Sequence, residues 1–299
     1  MMICTLCPRA CAVDRAETTG FCGSGEKMHI ARAMLHFGEE PPITGTNGSG
    51  AIFFTGCSLR CVFCQNSVIS APGSSHGKAF SEEAFIGLMR DLVDRGAHNV
   101  NLVTPTHFAA QIAAALQKYK PSVPVVWNSG GYESVDTLKL LDGLVDVYLP
   151  DFKYAESDLA ARLSAAPDYP ETALAAIREM HRQTVENVYG EDGMLKKGVL
   201  IRHLILPAHT RNSLAVLDIL HREFPETPVS LMAQYTPMGR VQDEDAFSEL
   251  RRPITARERK KVLDHMLALD MPGFYQSRKS TGDALIPDFT QFDHDPDKP

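Results

Sequence analysis

From residue 50 onward the chain alternates short apolar, β-branched runs with longer segments of helical period. That rhythm restricts the fold more than any other feature. The runs cover 51–55, 99–104, 123–128, 145–149, 199–206 and 229–234. The helical segments cover about 81–95, 107–119, 134–142, 156–187 and 212–223, with a final one over 255–269. The segment 156–187 is broken near Pro167 and Pro170, and Ser81, Ser134 and Thr255 stand where N-caps belong. The runs are continuous rather than alternating, so the strands they form are covered on both faces. That describes a parallel sheet with crossover helices, an α/β fold. Periodicity leaves open whether six such units curl into a partial barrel or lie flat and doubly wound.

Strand C-termini carry the chemistry in α/β architectures. Here they lead into Cys57, Thr104-Pro-Thr-His107, Asn128-Ser-Gly-Gly131, Pro150-Asp-Phe-Lys153, Arg202-His203 and Gln234-Tyr235. Polar groups thus recur along one edge of a greasy sheet. Asp151 and Lys153 flank Phe152 directly after a buried run, which a loop that is merely polar does not explain.

All seven cysteines lie within the first 64 residues. Cys57, Cys61 and Cys64 form a Cys-x3-Cys-x2-Cys loop at the end of the first run, with Phe63 before the third thiol. Complete protein ligation of a cubane cluster takes four cysteines, so three leave one iron open to a small molecule. Such an opening separates catalytic metal sites from closed structural ones. Cys4, Cys7, Cys11 and Cys22 form a second group, spaced Cys-x2-Cys-x3-Cys-x10-Cys, which completes a four-thiolate shell. Zinc and a second iron–sulfur cluster both suit it. Arg9 and Arg15 are placed to offset its charge. Dense thiols of this kind persist as metal ligands in a reducing compartment.

Residues 1–45 show no clear period, and the division expected is a Cys-rich segment over 1–48, an α/β domain over 49–282 and a loop-like tail over 283–299. The N-terminal segment has too little apolar content to order itself without metal. At 44% hydrophobic residues the chain buries a sizeable core, and a net charge of −7 offers no basic field for nucleic acid. No stretch approaches the length of about 20 apolar residues that spans a bilayer. The expectation is a cytoplasmic protein bound to neither nucleic acid nor membrane.

Cys57-x3-Cys61-x2-Cys64 with Phe63 resembles the cluster motif of the radical S-adenosylmethionine (SAM) enzymes. Gln65-Asn66, then Asn128-Ser-Gly-Gly, Asp151-Phe-Lys153 and Arg202 resemble the pyruvate formate-lyase activating-enzyme branch. Cys7-Pro-Arg-Ala-Cys11, Thr104-Pro-Thr-His107 and Met232-Ala-Gln-Tyr235 are similar to an uncharacterised group of homologues of that activase. The likeness runs from Cys4 to about Gln276. It implies a partial (β/α)6 parallel barrel holding a 4Fe–4S cluster. The amino and carboxylate groups of SAM chelate the open iron, and reductive cleavage gives a 5′-deoxyadenosyl radical that abstracts hydrogen. It also implies a low-potential electron donor such as flavodoxin or ferredoxin, and a glycyl radical enzyme or a peptide as substrate.

Carried over residue by residue, the resemblance makes Cys57, Cys61 and Cys64 the cluster ligands and sets Phe63 near the adenine. Asp151 and Lys153 match an Asp-x-Lys element beside the methionine part of SAM. Asn128 and Ser129 match a segment near its carboxylate, where the activases often have Asp and a monovalent cation. Arg202 is placed to pair with that carboxylate, and His203 to pack in the core. Thr104 and Thr106 stand where many relatives have a Gly-Gly-Glu-like segment, with His107 as a substrate acid or base. Gln234 and Tyr235 stand where activases place a histidine. Two other readings stand beside the activase: a radical enzyme acting on a small molecule or peptide, and a non-catalytic metal-dependent binding protein.

Overall fold

Each of the six apolar runs contains a strand. The computed structural model describes residues 3–276 and 287–289. In chain order its elements are β1 (Met28–His36), α1 (Pro41–Thr44), β2 (Ser49–Phe54), α2 (Ser67–Ser70), β3 (Lys78–Phe80), α3 (Glu82–Asp94), β4 (Val100–Val103), α4 (Ala109–Lys118), β5 (Val125–Ser129), α5 (Val135–Lys139) and β6 (Val147–Pro150). There follow α6 (Ser157–Ser164), α7 (Tyr169–Thr184), β7 (Val188–Tyr189), β8 (Leu195–Val199), β9 (Ile201–Leu204), α8 (Thr210–Glu223), β10 (Val229–Met232), α9 (Ala256–Ala268) and β11 (Gly273–Gln276).

Strands β2, β4, β5, β6 and β8 are successive parallel neighbours in one sheet, and β9, β10 and β11 are parallel in another. The two sheets are stitched together at β6. It pairs first with β8; then, past the break between β8 and β9 at Leu200, Asp151 bridges to Arg202 of β9, and the Phe152 N–H donates to the Arg202 carbonyl at 2.8 Å. Six parallel units therefore form one curved array. Its β2 edge is taken by β1, which runs antiparallel to it, so the barrel is partial.

The helices form where the period says they should, and each buries one stripe. In α3, Phe85, Leu88, Met89 and Leu92 recur at helical spacing and are buried, each worth roughly 1.5–3 kcal/mol of transfer free energy. Ser81 caps α3 by accepting from the Ala84 N–H, and Thr255 with Glu258 forms a capping box on α9. Ser134 makes no side-chain cap bond. The break expected near Pro167 separates α6 from α7, with Pro170 in the first turn of α7, where its missing N–H costs nothing.

Strand β1 is the element the sequence did not announce. Ile30 is its lone β-branched residue, and Ala, Met, Leu and Arg otherwise read as helix formers. Pairing with β2 on one side and β3 on the other makes it a strand. It thereby places part of the expected N-terminal segment in the same sheet as the expected α/β domain. Of the expected tail, residues 287–289 pack on that sheet, with Phe289 edge-to-face against Phe53 at 5.5 Å; the rest lies outside the described residues. Among the described residues no helix is long and apolar enough to cross a membrane.

Candidate active site

The strand ends open into a cavity of about 250 Å³. Cys57, Cys61, Phe63 and Cys64 line it from the loop after β2; Thr104 follows β4, Asn128 and Ser129 end β5, Asp151 and Lys153 follow β6, Arg202 lies in β9, and Gln234 follows β10. Of the residues expected at the cofactor site, all but Thr106, His107 and Tyr235 reach this one cavity.

The loop of thiols leaves β2 through Gly56, at φ +89°, a conformation that glycine adopts freely. Each sulfur has a hydrogen-bond neighbour. The Leu59 N–H donates to Cys57 Sγ at 3.3 Å, the Ser164 hydroxyl to Cys61 Sγ at 3.0 Å, and Ser70 Oγ lies 3.3 Å from Cys64 Sγ. Burial first, and then the neighbouring Cys61, raises both the Cys57 and Cys64 thiols; a bound metal would take them as thiolates. Among the described residues no three His, Cys, Asp or Glu side chains gather tightly enough to hold one metal ion. Cubane ligands bind separate irons, so the three thiols need not converge on a point.

Across the cavity lies a charged ring centred on Arg202. Its Nε donates to Asp151 Oδ1 at 2.8 Å and its Nη2 to Asn128 Oδ1 at 2.6 Å, while Nη1 is 3.4 Å from Glu39 Oε2. Lys153 pairs with the other oxygen of Asp151. Burial opposes ionisation of Asp151, but the Arg202 guanidinium and then Lys153 outweigh it and hold the carboxyl below the usual range. Lys153 likewise loses solvation, yet Asp151 keeps its ammonium charged. Phe152, between them, points the other way and is fully buried.

The loop after β5 is fitted to this ring. Gly131 has φ +77°, and a Cβ there would lie 2.1 Å from the Asp151 carbonyl oxygen. The Tyr169 hydroxyl, buried, accepts from the Lys153 N–H at 3.0 Å and lies 2.8 Å from the carbonyls of both Gly130 and Asp151. Thr104 stands at φ +59°, an outlying conformation for a β-branched residue, and its N–H donates to the Asn128 carbonyl at 2.8 Å. Strain of this kind concentrates where a site must be held in one shape. Phe63 packs edge-to-face on Tyr235 at 6.2 Å, and the Tyr235 hydroxyl donates to the Leu250 carbonyl at 2.8 Å.

His107 does not line the cavity. It is buried behind the thiol loop, where Nε2 donates to the Thr55 carbonyl at 2.8 Å, and burial lowers it to about 4. There it ties the Thr55 carbonyl, outside the cavity lining. Thr106 also points away, donating to Glu133 Oε1 at 2.7 Å. His203 packs in the core: Nδ1 donates to the Phe152 carbonyl at 2.7 Å, and Nε2 lies 2.9 Å from Ser213 Oγ.

Glu39 is the site residue the sequence reading missed. It lines the cavity, accepts from Asn128 Nδ2 at 3.2 Å and faces Arg202. Burial raises its carboxyl while Arg202 opposes the rise. Glu40 beside it is also buried and raised to about 7, by desolvation first. The available signal was a pair of acids just before Pro41-Pro42.

The chain matches the family model of the radical SAM superfamily over residues 51–216. It is 30% identical over 269 residues to a protein of Methanocaldococcus jannaschii described as uncharacterised, covering 87% of this chain and 73% of that one. Two solved structures are similar at lower levels. SuiB of Streptococcus suis, bound to its precursor peptide SuiA, gives a TM-score of 0.46 at 12% identity, over 74% of this chain and 46% of that one. A radical SAM methyltransferase of Sphaerobacter thermophilus gives 0.49 at 14% identity, over 76% and 66%. The chain spans less than two thirds of the length of either solved structure. With the family model covering more than half its length, this chain belongs to the radical SAM superfamily.

Proposed function

We propose that this protein cleaves S-adenosylmethionine reductively at a 4Fe–4S cluster held by Cys57, Cys61 and Cys64, and that it delivers the radical to a glycine of a partner protein. The observation that carries the first part is one cavity lined both by the three thiols and by the ring of Asn128, Asp151, Lys153 and Arg202. Three sulfurs with donors aimed at them suit a cluster lacking one protein ligand, and a mixed-charge ring suits the zwitterionic end of an amino acid. When bound, cluster and cofactor together supply a primary carbon radical able to take hydrogen from an unactivated C–H bond.

The residues here bind, orient and screen. Arg202 is locked by Asp151, Asn128 and Glu39, so its fork is already oriented and presents a fixed positive edge to a carboxylate. Asp151 stays ionised and offers an acceptor to an ammonium group. Phe63, with Leu59, Leu204 and Met232, gives the cavity an apolar wall against which a purine can pack and which keeps water from a radical. The activase reading is supported by the order of motifs from Cys7-Pro-Arg-Ala-Cys11 to Met232-Ala-Gln-Tyr235.

The test is anaerobic reconstitution with iron and sulfide, reduction, and assay of 5′-deoxyadenosine. Wild-type protein is expected to form it, and Cys61→Ala to lose it entirely. Cleavage that survives Cys61→Ala removes the cluster assignment. With a candidate partner present, an EPR doublet from a glycine is expected. Deuterium passing instead from a small molecule into 5′-deoxyadenosine, with no protein radical, removes the activase reading and leaves the cleavage intact.

A further inference from the structure

The N-terminal cysteines lie outside the cavity, and the chemistry above does not use them. Cys7 and Cys22 are buried, and the turn is closed on itself: the Ala12 N–H donates to the Cys4 carbonyl at 3.1 Å and the Ala10 N–H to the Cys7 carbonyl at 3.0 Å. The backbone thus gathers the segments that carry Cys4, Cys7 and Cys11 into one turn, and Phe21, beside Cys22, reaches it. The Phe21 N–H donates to Cys11 Sγ at 3.2 Å, as backbone amides do toward metal-bound sulfur. Ala10 and Ala12, on either side of Cys11, stand at φ +39° and +55°, a region alanine avoids. Little apolar packing holds this turn: Ile3 is 54% exposed, and among the described residues before Met28 the buried hydrophobic side chains are Cys7 and Cys22 themselves. A strained turn with four thiols at its heart and no core of its own needs another source of order.

This turn also grips the loop of the other three thiols. Arg9, between Cys7 and Cys11, donates through Nε to the Ser58 carbonyl at 2.8 Å, one residue past Cys57. The Phe21 ring, next to Cys22, lies 3.9 Å from the guanidinium of Arg9 and 3.9 Å from that of Arg60, which sits between Cys57 and Cys61. Ser24 Oγ donates to the Thr55 carbonyl at 3.2 Å. At Gly56 a Cβ would lie 2.7 Å from the Cys22 carbonyl oxygen, so the two backbones touch. Residues on both sides of Cys57 are thus fastened to residues adjoining the four-thiol group.

We propose that Cys4, Cys7, Cys11 and Cys22 bind a second, closed metal centre of four thiolates, and that this centre braces the Cys57–Cys64 loop through Arg9 and Phe21. Each thiol gives up its proton to solvent on binding, so the metal supplies folding free energy to a segment that lacks a core. No trio of these thiols is drawn down on one ion in the structure. They close in around zinc, or stand at the corners of an iron–sulfur cluster. The metal site stands apart from the cofactor reading; the brace concerns the loop's order, not its chemistry.

The test uses the full chain, purified anaerobically after expression with iron and zinc supplied, with metal and acid-labile sulfide quantified. The Cys57→Ala, Cys61→Ala, Cys64→Ala triple variant is expected to keep a stoichiometric metal: zinc without sulfide, or iron with sulfide. Adding Cys7→Ser and Cys22→Ser should remove it. A triple variant free of metal overturns the site, whether or not the five-fold variant folds. For the brace, Arg9→Ala should leave that metal in place while amides 57–64 exchange hydrogen roughly tenfold faster, the loss of about one net hydrogen bond. Unchanged exchange in that stretch overturns the brace and leaves the metal site standing.

Discussion

Ser164 shows how single side chains tune this site. Its hydroxyl donates to Cys61 Sγ at 3.0 Å, so its oxygen accepts from the buried Tyr154 hydroxyl at 2.6 Å. Hydrogen bonds to cluster sulfurs stabilise the reduced, more negative form. Ser164→Ala is therefore expected to move the cluster's reduction potential to more negative values, read by an EPR-monitored redox titration. A potential that does not move would show that the loaded cluster does not use this bond. At this scale the sequence was readable where spacing alone groups residues, as with Cys57, Cys61 and Cys64, which line one cavity. It was unreadable for Ser164 and Tyr169, whose partners are distant in the chain: Cys61 is 103 residues from Ser164, and Gly130 is 39 from Tyr169.

Among elements, the loop after β5 is closely fitted to its neighbours. Asn128 to Gly131 turns against the end of β6 with no room for a side chain at Gly131. Gly131→Ala forces a left-handed alanine against the Asp151 carbonyl, a loss on the order of 3 kcal/mol or more that urea unfolding measures. A loss under about 1 kcal/mol would mean the loop relaxes without cost. Long helices and continuous apolar strands were legible because their periodicity is a property of the local chain. Strand β1 was not, because its pairing with β2 and β3 overrides its own propensity. Its position matters to the site: β1 leads directly into Gly38 and Glu39, and so carries a carboxylate over the strand ends to Arg202.

For the molecule as a whole, buried ionisable groups pull stability in opposite directions with pH. Glu133 and Glu40 are raised to about 7 from 4.5, by burial first, so the folded state keeps protons that the unfolded chain has lost. They cost stability as pH rises from 4.5 through 7. His107 and His203 are lowered to about 4 from 6.5, again by burial, and cost stability as pH falls from 6.5 through 4. The opposed slopes overlap and largely cancel. Glu133→Gln keeps an oxygen to accept from Thr106 and Trp127 and removes one acidic slope. The variant's stability relative to the unmutated protein should then rise by up to about 3 kcal/mol between pH 4.5 and 7.5, measured from urea midpoints at fixed metal loading. A difference that stays flat across that range would show that Glu133 titrates normally.

By itself the sequence determined the β/α order, the covered strands and the two sets of thiols, since each is written in spacing along a local stretch of chain. Only the tertiary structure decided which polar strand ends meet. It brought Asp151, Arg202, Asn128 and Glu39 onto one guanidinium and turned His107 inward to the Thr55 carbonyl. It also set the four-thiol turn against the three-thiol loop. The reason is physical: a side chain's direction and burial depend on strand register and pairing, and those are fixed by packing between segments far apart in the chain.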